Sequence, residues 1–148
     1  MTKDSLNMAL ARYVVLPLSL AALTACESEA ERQADTVEDQ METQAEQSAA
    51  ASGDAVVVMG LTERQLLDAD LVAEDGAELG DIEQVRRDAS GVVTGLLVEI
   101  EDSDPDRYVQ VPLTGLSVKE GTLGDIDVQT RMTSQELAAL PEAPMSNP

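Results

Sequence analysis

Between Glu27 and Asp54 the chain carries nine carboxylates and one guanidinium, and its only large apolar side chains are Val37 and Met41. Burial of so little apolar surface cannot offset the entropy of ordering 28 residues, so this stretch predicts no core of its own. Any core must come from residues 55–141, where 29 of 87 residues are Val, Ile, Leu or Met. A chain of 148 residues then has room for one small domain.

Within 55–141 the apolar residues repeat with a period of two between turn signals. Glu74-Asp75-Gly76 and Asp88-Ala89-Ser90-Gly91 are hairpin-type turns, and Asp102 to Asp106 is a polar loop around Pro105. Val92, Thr94, Leu96, Val98 and Ile100 share one face of a strand, and Val109, Val111 and Leu113 continue the alternation past the loop, which predicts a hairpin. Val93 and Leu97 make the opposite face apolar as well, as expected of a central strand or one packed against a second layer. Thr133-Ser134-Gln135-Glu136 fits a capping box ahead of a short helix stopped at Pro141, and Thr62 to Gln65 has similar spacing. The pattern predicts a mainly β fold: a small β-barrel with a short C-terminal helix, preceded by a disordered acidic tether.

Four segments, in this order, resemble the PRC-barrel family: Leu67-x-Ala69-x-Leu71-Val72 before Asp75-Gly76; Glu78-Leu79-Gly80-Asp81-Ile82-Glu83-x-Val85; Gly91-x-Val93-Thr94-Gly95-Leu96-Leu97-Val98; and Val109-x-Val111-Pro112-Leu113. The resemblance covers residues 62–141 and rests on turn glycines and strand hydrophobics. It implies a binding or assembly module and carries over no catalytic residue.

The amino-terminal residues point to export. Lys3 and Arg12 precede an apolar run from Val14 to Ala25, too short to span a bilayer but of signal-peptide length. Leu23-Thr24-Ala25-Cys26 resembles the lipobox of bacterial lipoproteins, which implies cleavage before Cys26 and acylation of its thiol. Two or three acyl chains, at about 0.8 kcal/mol per buried methylene, anchor durably where one does not. Glu27, not Asp, follows the cysteine, which in such lipoproteins implies transfer to the outer membrane, facing the periplasm. The expected plan is therefore a signal at 1–25, a lipidated tether at 26–54, a PRC-barrel-like domain at 55–141 and a flexible tail at 142–148. As a flexible chain the tether has a mean reach of about 30 Å. The alternative is a short coiled-coil stalk seamed by Ala30, Ala34, Val37 and Met41, against which like charges at i, i+4 (Glu27, Glu31, Asp35, Asp39) repel.

The formal charge of −20 excludes nucleic acid and anionic lipid headgroups as partners, and suits a basic partner, a cation atmosphere or plain solubility. There is no His, and the single Cys is the residue that acylation consumes, so neither thiol nor imidazole chemistry is expected. Asp102-x-Asp104-x-Asp106 opens like a calcium loop but has Arg107 where the turn glycine belongs and Leu113 where the bidentate glutamate belongs. Asp125 and Asp127 flank Ile126 as the wet face of a strand. No catalytic residue, metal ligand or cofactor is therefore assigned, and no small-molecule substrate is expected. Tyr108, Arg86 and Arg87 are the candidate contacts for a partner protein in the envelope. The function expected is a membrane-anchored, non-catalytic binding or assembly module. The alternatives are an acidic, surface-protecting lipoprotein without a specific partner, and a carboxylate-dependent hydrolase, which requires a concave site holding a carboxyl of raised pKa.

Overall fold

The structure, a computed structural model, describes residues 29–121 and 124–145. In chain order they form α1 (Glu29–Ser52), β1 (Val56–Val58), β2 (Leu61–Thr62), α2 (Glu63–Leu67), β3 (Asp70–Val72), β4 (Glu78–Arg87), β5 (Val93–Ile100), β6 (Tyr108–Pro112), β7 (Ser117–Glu120), β8 (Ile126–Gln129) and α3 (Ser134–Ala138). The mainly β class expected from the alternation is what the structure shows. Six strands form one sheet in the order β6-β5-β4-β3-β8-β7, antiparallel except for the β3–β8 pair. β1 and β2 pair separately.

The local signals act where they stand. Gly76 turns β3 into β4 at φ 88°, and Gly91 turns β4 into β5 at φ 84°, a left-handed conformation open to glycine without a Cβ penalty. The Asp88 carboxylate holds the second turn by accepting from the amides of Ser90 (2.8 Å) and Val92 (3.0 Å). β5 and β6 pair as expected, with Leu96 opposite Val111 and Val98 opposite Val109. Both capping boxes form, at Thr62 with Gln65 and at Thr133 with Glu136. One face of the sheet carries the aliphatic core, including Leu71, Ile82, Leu96, Val98, Val109 and Val128, and Leu61, Leu66 and Leu137 close it from above. α2 and α3 are thus lids on the apolar face.

Three expectations are corrected. First, no closed barrel forms, because β6 and β7 do not pair among the described residues. The free edge of β6 is instead covered by the chain's own end: Glu142 bridges to Val109, and the Ala143 amide donates to the Tyr108 carbonyl at 2.9 Å. Second, the same contacts show that the expected flexible tail is packed as far as Met145, which lies against Met41, Leu97 and Tyr108. Third, in place of an unstructured tether, Glu29–Ser52 form the 24-residue helix α1.

The reason for α1 lies in small side chains. Met41, Ala45 and Ala49 recur at i, i+4, i+8, all are buried, and the helix packs along this narrow stripe on β4 and α2. Alanines let the backbones approach closely, and a segment rich in Ala, Glu and Gln has high helix propensity. The coiled-coil seam does not form either: Ala30 and Ala34 are exposed, and Val37 retains 44% of its surface. Asp35 and Asp39, whose like charges argued against a helix, both face solvent. No helix of the described residues is long and apolar enough to cross a membrane.

Candidate functional site: an acidic groove beneath the first helix

α1 crosses the second face of the sheet, and this face is polar. The antiparallel register sets Asp70 opposite Asp81, Asp81 opposite Glu99, and Glu99 opposite Tyr108, so acidic groups from β3, β4 and β5 form a row across the strands. A β-bulge between Ile82 and Gln84 places Glu83 in the same region. Between this row, α1 and α2 lies an open groove of about 640 Å³. Its lining includes the carboxylates of Glu42, Glu46, Asp68, Asp70, Asp81 and Glu83, with Arg64 as the one basic residue among the described lining, beside the small alanines Ala45 and Ala49 of α1.

Crowding of like charge shows in the acidities. Burial pushes Glu83 up to about 7, helped by the negative charges of Glu99, Asp81, Glu42 and Glu38. Asp70 is raised first by burial and then by Asp81, Asp127 and Asp125. Glu78 is raised chiefly by the charge of Asp70. Carboxylate oxygens of Asp70, Glu78 and Asp81 lie within 4.8 Å of one another, the arrangement that a hard cation with oxygen ligands would favour. The groove as a whole attracts positive charge, and Glu83 can carry a proton near neutrality.

At the far end of the same face the Tyr108 hydroxyl sits 3.3 Å from the Glu38 carboxylate of α1 and 3.2 Å from that of Glu99. Burial, then the two carboxylates, raise the Tyr108 hydroxyl, and burial raises Glu99 despite its hydrogen bond from Tyr108. At the opposite end α1 is locked to α2. Glu63, 1% exposed, receives two bonds from the Arg87 guanidinium (3.1 and 2.8 Å) and one from the Ser52 hydroxyl (2.7 Å). Burial alone would raise Glu63, but the bonds from Arg87, Ser48 and Ser52 outweigh it and hold the carboxyl below its usual range.

The residues singled out from sequence fall as follows. Cys26 lies outside the described residues. Tyr108 and Arg86 are each only 2% exposed, which takes them off the surface available to a partner. Arg86 donates to Gln84 and to the carbonyl of Pro144, and its Nε has no hydrogen-bond partner among the described residues. Arg87 keeps some exposure but is engaged by Glu63. Asp102, Asp104 and Asp106 sit in the β5–β6 loop, apart from the groove lining. Asp127 reaches the acidic cluster, close enough to raise Asp70. The groove residues escaped the sequence reading because their convergence depends on strand register and on the docking of α1. The one visible signal was the acidic spacing of Glu78, Asp81 and Glu83 in a segment otherwise patterned as a strand. Comparison of the chain with family models and with curated proteins finds no match.

Proposed function

We propose that this chain is a lipid-anchored, non-catalytic binding module of the bacterial cell envelope, held by acylated Cys26 on the outer membrane and facing the periplasm. Its groove takes a basic segment of a partner protein. The observation that carries this reading is the groove itself, where six carboxylates and a single guanidinium line one opening. A partly buried lysine or arginine there gains more than the 0–1 kcal/mol or so of an exposed ion pair. Kinship of residues 62–141 with PRC-barrel modules belongs to the same proposal, supported by turn glycines that stand at the strand junctions.

The test begins with mass spectrometry of the native protein and cell fractionation. A mature chain starting at a triacylated Cys26 is expected in the membrane fraction, and Cys26→Ser is expected to move it to the soluble fraction. Crosslinking in intact cells then compares the native chain with Glu42→Lys/Glu46→Lys. One stoichiometric partner, lost with the charge reversal, supports the module. Only abundant neighbours, unchanged by it, would favour the surface-protecting lipoprotein instead.

One observation favours a second reading. Glu83, with its carboxyl near 7 in a concave groove beside Asp81, meets the two requirements stated for a carboxylate hydrolase. Assay of the purified chain on cell-wall glycan fragments is decisive for it. Turnover abolished by Glu83→Gln supports catalysis, and no turnover between pH 5 and 8 removes it.

A further inference from the structure

We propose that residues 141–145 are a displaceable placeholder on the outer edge of β6, and that the segment which replaces them is an extended acidic strand of another protein, its carboxylate paired with Arg86. The inference rests neither on lipid attachment nor on the groove beneath α1.

β6 is an edge strand of the sheet, and its cover is thin. The tail meets it in an isolated bridge, Val109 with Glu142, and through the Ala143 amide on the Tyr108 carbonyl at 2.9 Å. Pro141 and Pro144 bracket these residues and have no N–H to donate, so the tail offers the edge only two consecutive amides. Glu142 and Pro144 are exposed, and Ala143 and Met145 are half-buried. The chain just before the tail is fixed separately: Arg107 donates to the Leu140 carbonyl at 2.7 Å, and Leu137 is buried in the aliphatic core. Residues 141–145 can therefore leave β6 without unseating α3.

What the tail covers is a charge without a counter-charge. Arg86 of β4 is 2% exposed, donates to the neutral Gln84 side chain and to the Pro144 carbonyl, and leaves its Nε without a partner among the described residues. No carboxylate among those residues pairs with it, although the chain carries 29 acidic side chains against nine basic ones. Its neighbour Arg87 is paired with Glu63, so acid is not in short supply. Burial draws Arg86 below the usual arginine range, and no nearby carboxylate restores it. A buried guanidinium with an unpaired donor destabilises the fold that keeps it, and this one lies beside a sheet edge. A strand added to β6 supplies what the tail does not: an unbroken run of amides for the edge, and a carboxylate that accepts from Nε and a terminal nitrogen of Arg86 together. A basic strand would set like charge on Arg86. The chain's net charge of −20 acts against an acidic ligand at long range, but salt screens it beyond about 8 Å, so recognition is confined to the contact itself.

The probes are short peptides of alternating threonine and valine carrying one glutamate, scanned through their positions, and the same peptides with glutamine; fluorescence anisotropy at about 0.15 M salt follows binding. Ala143→Pro in the full chain removes the amide that holds the Tyr108 carbonyl and so frees the edge. It is expected to bind the best glutamate peptide at least about tenfold more tightly than the native chain does, and to prefer glutamate to glutamine by a similar factor. Arg86→Met in the same background should abolish that preference while leaving the domain at least as heat-stable; Arg86→Gln serves if methionine does not fit. A second measurement needs no variant: in the native chain the Glu142 and Ala143 amides should exchange with deuterium at least about tenfold faster than that of Leu97 in β5. Equal affinity of the native and Ala143→Pro chains, equal affinity for the two peptide series, a preference that survives both Arg86 changes, or tail amides as protected as Leu97 would overturn the inference.

Discussion

Gly80→Ala is expected to cost about 3–5 kcal/mol, a large share of the roughly 5–15 kcal/mol that holds a small domain folded. Gly80 sits in β4 between β3 and β5, opposite Leu71 on one side and Ile100 on the other. A Cβ built there is driven into the backbone carbonyl of Glu99 and touches Val98. Backbone on a central strand cannot yield without breaking its own ladder, so the sheet has to part. Gly91→Ala is the control: its φ is 84° but no atom of the described residues lies within 4 Å of the added carbon, so only the conformational penalty of about 1 kcal/mol applies. Urea unfolding followed by far-UV circular dichroism compares the two. Equal midpoints for Gly80→Ala and Gly91→Ala would show that the close approach of β4 to the Glu99 carbonyl is not what requires glycine.

Arg87→Ala is expected to destabilise the domain by about 3 kcal/mol at pH 7, because it leaves the Glu63 carboxylate buried without its guanidinium. Glu63 follows the Thr62 cap at the start of α2, so its charge is also well placed for the first turn of that helix. The effect has a definite pH signature. Glu63 is held below its ordinary value of 4.5; its contribution is present above that value and is lost as pH falls through the lower folded one. The difference in melting temperature between native chain and variant should therefore be largest at neutral pH and shrink on acidification below the ordinary carboxylate value of 4.5. A gap unchanged between pH 7 and pH 3, or no gap at pH 7, would mean that the pair adds nothing beyond its packing. Acid thus weakens the lock that Glu63 makes between α1 and α2.

Several features of this fold were readable from short stretches of sequence, because the forces that make them act over a few residues. Thr62-x-x-Gln65 and Thr133-x-x-Glu136 satisfy their own helix amides. Asp88 folds its turn by bonding residues two and four positions ahead. The alternation of Leu96, Val98, Val109 and Val111 aims four side chains at one core whatever lies beyond them. Leu97, apolar on the wrong face, signalled a second layer, and that layer is α1 with Met41.

The groove was not readable in this way. Asp70 meets Asp81, and Asp81 meets Glu99, through strand register, and shifting one strand by a single residue would turn each to the other face. Likewise Ala45 and Ala49 add little to any hydrophobic sum, yet their lack of bulk lets α1 lie close on β4. Tyr108 and Arg86 looked like surface contacts because the sequence does not say that α1 and the tail at 141–145 cover them.

What the sequence by itself determined is therefore local and aliphatic: the turns, the caps, the central hairpin and the mainly β class. What only the tertiary structure decided is the polar face, with an open sheet edge closed by the chain's own tail and a helix laid over mutually repelling acids. Local order is set by bonds to near neighbours, whereas the free energy of bringing Glu38, Glu83, Glu99 and Tyr108 together exists only once four separate elements have packed.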